Sequence, residues 1–78
     1  MLEAISPIKQ SQESMIDTLY CLSIPYEKDY GLTKNGRKTR ILKTHKYNME
    51  FFFMDKMKLN GKVMTVYDAQ RKLIRENI

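Results

Sequence analysis

Between Lys34 and Lys46 the chain reads KNGRKTRILKTHK, a stretch that holds six of its fourteen Lys and Arg residues and no acidic one. Cations at this density suit contacts to phosphate oxygens, made by Lys34, Arg37, Lys38, Arg40, Lys43 and Lys46 with threonine hydroxyls assisting. They suit an acidic protein surface by the same electrostatics. The competing reading is a solvated edge strand whose lysines block sheet-to-sheet pairing. Further along, Arg71, Lys72 and Arg75, with Lys58 and Lys62, extend the candidate surface if the last helix lies beside the second hairpin.

Catalytic chemistry is harder to assemble. His45 is the only histidine and stands near Lys43 and Lys46, with no evident carboxylate to orient it as a general base. Glu27, Asp29, Glu50 and Asp55 are acids of the type that hold Mg²⁺, but no two of them form a recognisable metal motif. Cys21 is the single cysteine, so an intrachain disulfide and a Cys-rich metal site are excluded. Its neighbours Leu19, Tyr20 and Leu22 lead us to expect a small buried thiol without chemistry. No catalytic residue, metal or cofactor is therefore assigned. A minimal toxin-type ribonuclease using His45 with Arg37 or Arg40 is the one enzymatic alternative.

Tyr26, Tyr30 and Tyr47 are candidate interface aromatics, because a phenol pairs an apolar ring with a hydroxyl that seeks water or a partner. Phe51, Phe52 and Phe53 are of a type that stacks on bases, but with no Trp in the chain they are expected in the core.

The elements that must position these groups follow from punctuation and periodicity. Ser6-Pro7 reads as an N-cap and first helical residue. Ile8, Met15, Ile16, Leu19 and Leu22 then form one stripe of a helix over 7–22, ended by the approach to Pro25. From Tyr26 to Thr44 two strands flank Asn35-Gly36, the preferred pair for a two-residue type I′ turn. That turn sets Leu32 opposite Thr39 and Tyr30 opposite Ile41, so Tyr30, Leu32 and Ile41 should pack on the helix while Gly31, Thr33, Lys38 and Arg40 face away.

Tyr47, Met49, Phe51 and Phe53 alternate with other residues as a third strand does. A helix over 48–59, leading into a helix-turn-helix, competes, but it would be apolar all round at Phe51 to Met54. A second Asn-Gly, at 60–61, suggests another hairpin. Thr65 then caps a helix from about 66 to 77, lined by Val66, Ala69, Leu73 and Ile74. The expected fold class is α+β: an N-terminal helix, an antiparallel meander of three to four short strands, and a C-terminal helix.

At 78 residues with net charge +5, the chain reads as one small domain, 1–78, whose first five residues should fray. Charge is uneven: residues 1–33 carry −3, residues 34–46 carry +6, and residues 47–78 carry +2. A core this small favours added stability from a partner or a second copy, as in a homodimer. The opening MLEAISPIKQ lacks the pattern of a secretion signal, and no apolar run approaches the roughly 18 residues of a membrane span. With one cysteine, a cytoplasmic setting without membrane association is expected. Abundant Lys, Ile, Asn, Tyr and Phe mirror A/T-rich codons, as in a low-GC bacterium or its phages and mobile elements.

These features rank a small, non-enzymatic, nucleic-acid-binding (DNA or RNA) regulator first. An inhibitor or adaptor that meets an acidic surface on a host or defence protein comes second, and the ribonuclease third.

Overall fold

The computed structural model describes residues 7–78. Helix α1 (Pro7–Cys21) leads into strands β1 (Glu27–Leu32), β2 (Lys38–Lys43), β3 (Asn48–Phe53), β4 (Lys56–Leu59) and β5 (Lys62–Thr65), and helix α2 (Val66–Glu76) follows directly. The strands form one antiparallel sheet in sequence order. The fold is thus the expected α+β arrangement, with five strands where three to four are expected. Strand β4 enters the second hairpin, and its Lys-Met-Lys-Leu alternation buries Met57 and Leu59 and exposes both lysines. The expected Ser6 cap and frayed first residues lie outside the described residues.

Each helix end has a local cause. In α1 the last turn closes with hydrogen bonds from Ser23 N–H to the Tyr20 carbonyl (3.1 Å) and from Ile24 N–H to the Leu19 carbonyl (2.9 Å). Ser23 takes the left-handed conformation this closure requires, at φ +57°. At the start of α2 the Thr65 hydroxyl accepts from Asp68 N–H at 3.1 Å, a cap worth about 1 kcal/mol. Asp68 in the first turn and Arg75 in the last also complement the helix dipole.

Residues directly opposite one another in an antiparallel pair share a face, so register sorts the side chains. Leu42, Met49 and Leu59 make one row, and Phe51, Met57 and Met64 lie in the next. Both helices cover this face, α1 over β2 and β3, α2 over β4 and β5, and the helices touch each other. Met15 and Leu19 from α1 and Val66, Ala69 and Leu73 from α2 complete the core. The opposite face carries Asp29, Ile41, Glu50, Lys58 and Val63 in one row across all five strands, with no helix on it. Residues 48–59 are strands, not the competing helix. Among the described residues, no helix is long and apolar enough to cross a membrane.

Two polar residues of α1, Ser11 and Gln12, are buried as well, at i+3 and i+4 from Ile8 on the same stripe. Cys21 is exposed, contrary to expectation, because it lies about 200° around the helix from buried Leu19.

Candidate functional site

The geometry of the basic hairpin turns on one residue of loop length. Thr33 N–H donates to the Arg37 carbonyl at 2.8 Å, and Gly36 N–H donates to the Thr33 carbonyl at 3.0 Å. Arg37 N–H adds a bond to the Thr33 hydroxyl at 3.1 Å. The loop is therefore Lys34-Asn35-Gly36, three residues with Gly36 alone at positive φ (+77°), rather than a two-residue type I′ turn. The second Asn-Gly does form the two-residue turn, with Asn60 at +51° and Gly61 at +84° and Leu59 opposite Lys62. There the Asn60 side chain accepts from Asn48 N–H (2.8 Å) and donates to the Lys46 carbonyl (3.3 Å).

The extra loop residue moves the register by one and exchanges the faces. Leu32 stands opposite Lys38, Tyr30 opposite Arg40, and Gly31 opposite Thr39. Tyr30, Leu32, Lys38 and Arg40 thus share the helix side of the sheet, while Ile41 points to the uncovered side, a correction to the expected pairing. Lys34 and Arg37 are exposed at the tip. Gly31 permits the close approach of β2 on the uncovered side, since a Cβ there would lie 2.9 Å from Thr39 Oγ1 and 3.0 Å from Ile41 Cδ1.

Beside the first turn of α1 the described residues of the helix side line a groove of about 780 Å³, formed by Ile8, Tyr30, Leu32, Lys38 and Arg40 with Gly31 and Thr39. Arg40 is half-buried there. Its guanidinium lies 5.4 Å from the centre of the Tyr30 ring and donates to Gln12 Oε1 at 3.5 Å. Gln12 Nε2 in turn donates to the Ile41 carbonyl at 3.3 Å, which fixes the amide with its oxygen toward Arg40. Sequence reasoning missed Gln12 because the stripe was traced through apolar residues alone; its spacing, i+4 from Ile8 and i−3 from Met15, is the signal that places it on the buried face.

The other basic candidates lie elsewhere. Lys43 projects on the uncovered side and pairs with Asp29 at 3.4 Å, the one ion pair among the described residues. Asp29 titrates below the usual carboxylate range, first through the Tyr30 N–H bond and then through Lys43. Lys46 is exposed in the loop between β2 and β3. Arg71, Lys72 and Arg75 line a separate groove with Lys62, Asp68 and Glu76, toward the opposite edge of the sheet from the hairpin. The two basic clusters are not brought into one surface.

The tyrosines divide as well. Tyr30 is 63% exposed and Tyr26 is exposed ahead of β1, but Tyr47 is only 6% exposed. Tyr47 therefore belongs to the core and not to an interface. A turn bonded from Thr44 N–H to the Tyr47 carbonyl and from Tyr47 N–H to Thr44 Oγ1 directs it inward. Its hydroxyl donates to Glu76 Oε1 at 2.7 Å and accepts from Asn77 Nδ2 at 3.1 Å.

Burial, and then the Glu76 carboxylate, raise the Tyr47 phenol above its ordinary value. The unfolded chain consequently ionises first, near pH 10. Stability from this group is fully present below that pH and is lost as pH rises through the folded value. We expect wild type to melt above Tyr47→Phe at pH 7, and the gap to shrink above about pH 10. A gap that stays constant to pH 11 by circular dichroism would show that folding does not raise the phenol.

His45 is exposed in the loop after β2, at the far end of that strand from Arg37, so the residues suggested for a ribonuclease do not converge. Asp29 is engaged by Lys43, and Glu50 accepts from Thr39 Oγ1 at 3.0 Å. Among the described residues, no three metal-ligating side chains cluster. Compared with protein-family models, curated proteins and solved structures, the chain matches none.

Proposed function

We propose that the protein is a small, non-enzymatic, nucleic-acid-binding regulator that uses the β1–β2 hairpin. One observation carries this reading. Lys34, Arg37, Lys38 and Arg40 gather at the free end of the hairpin and along its helix side, and among the described residues none of them is ion-paired. Like charges left together without counter-charges repel one another, and an anionic ligand relieves that repulsion. Phosphate is the ligand for which a guanidinium fork and lysine point charges are both suited.

A second reading has its own support. Leu32 and Tyr30 are exposed beside the same cations, as expected of an interface with an acidic protein, and an inhibitor or adaptor would use them.

Salt dependence separates the two readings. Binding of short DNA and RNA should weaken steeply as salt rises, the logarithm of affinity falling by about 0.7 to 0.9 per phosphate contact for each tenfold increase. Absence of binding to every nucleic acid at low salt would reject the proposal and leave the acidic protein partner.

A further inference from the structure

We infer that the nucleic acid held at this hairpin is single-stranded, with a base stacked on Tyr30 and the adjoining phosphate on Arg40. The inference rests on the function proposed above and narrows it. Three features of the structure carry it.

The first is the distribution of charge between the two faces. A β-ribbon that enters a duplex groove presents a face to the bases and is flanked by phosphates. On the uncovered side acids are interleaved with cations, Glu27 and Asp29 with Lys43 and Glu50 opposite Lys58, so that face offers a phosphate backbone no uninterrupted run of positive charge. The helix side is cationic, but α1 walls it at Ile8 and makes it concave. Moreover, β2 is bonded to β3 from Arg40 onward, so only the short end from Leu32 to Lys38 stands clear of the sheet. A rigid duplex finds no projecting ribbon, whereas a flexible strand can enter the groove.

The second is the ring. Tyr30 is 63% exposed with Arg40 on one side of it, so among the described residues much of the ring is left to solvent. In a duplex the faces of bases are stacked on one another and out of reach. In a single strand they are free, and exposed aromatic rings take them with little regard to sequence.

The third is Arg40 itself. Gln12, 2% exposed and tied to the Ile41 backbone, holds the guanidinium from beneath while Tyr30 flanks it. Among the described residues this half-buried cation has no carboxylate partner. Its remaining N–H groups are thus pre-positioned for phosphate oxygens beside the ring, as a bidentate contact requires. RNA and single-stranded DNA offer this chemistry alike.

The test uses the full chain and four labelled probes: oligo-uridine, oligo-thymidine, and duplexes of RNA and of DNA of equal length, each titrated at two salt concentrations. Both single strands should bind at least about tenfold more tightly than the duplexes. Tyr30→Leu, which keeps apolar bulk, should lose about tenfold on single strands with an unchanged salt slope, and Tyr30→Phe should restore binding. Tyr67→Leu removes an exposed ring that also lies near a guanidinium, Arg71 at 5.6 Å, but on α2, and should bind as wild type does. Tighter binding of one single strand than the other would name the source without altering the inference. Duplex binding as tight as single-strand binding, or equal losses in Tyr30→Leu and Tyr67→Leu, would overturn it while sparing the proposed function. Failure of all four probes to bind would overturn both.

Discussion

Phe51→Ala is expected to remove a large share of the protein's stability and to lower its urea midpoint sharply at 25 °C. Phe51 sits on the central strand, fully buried in the row with Met57 and Met64 and among the core residues that α1 and α2 supply. Truncating a buried phenylalanine costs about 3 to 5 kcal/mol, the lost transfer energy plus the cavity left behind. Against that stands a total of roughly 4 to 12 kcal/mol for a domain of this length. Phe53→Ala provides the contrast. Two residues on, past an irregularity in the β3–β4 pairing, Phe53 is 53% exposed and should cost under about 1 kcal/mol. Urea unfolding followed by circular dichroism distinguishes the two, and equal midpoints would contradict the placement of β3.

The largest functional effect is expected from combining Arg37→Glu, Lys38→Glu and Arg40→Gln. Glutamine is chosen at 40 because a carboxylate there would face the Gln12 carbonyl oxygen. If each lost contact is worth about 1 kcal/mol, affinity for nucleic acid should fall on the order of 100-fold at low salt. The salt slope should flatten by about 2, because each lost contact to a single strand removes about 0.7. Arg37 and Lys38 are exposed and Arg40 only half-buried, so the melting temperature should change little. The matching substitution of Arg71, Lys72 and Arg75 should cost much less affinity, since these residues line a different groove. Wild-type affinity and slope in the hairpin variant would remove the basis for the proposed function.

The helices were legible in the sequence because capping and periodicity are local: Thr65 caps α2 as expected, and α1 ends within one residue of its expected limit. The sheet was legible in kind through alternation. Its register was not, because the same dipeptide, Asn-Gly, closes one hairpin with two residues and the other with three. What separates them is tertiary: Asn60 is gripped by Asn48 and Lys46, whereas at Gly36 the partner is Thr33. That single residue decided which face Arg40 and Ile41 occupy, and so hid the groove. Tyr47 and Tyr30 likewise differ through distant neighbours, Glu76 for one and open solvent for the other.

The order of the strands in the sheet bears on how the chain reaches this structure. Since every strand is bonded only to its neighbours in sequence, the sheet can grow by closing short loops in turn, with little entropy lost at each closure. Such hairpins form in roughly microseconds. Of all the elements α1 must wait longest, because it docks on β2, β3 and α2, all made after it during synthesis. Until α2 has left the ribosome, α1 lacks part of its seat, and the groove walled by Ile8 is among the last parts of the molecule to take shape.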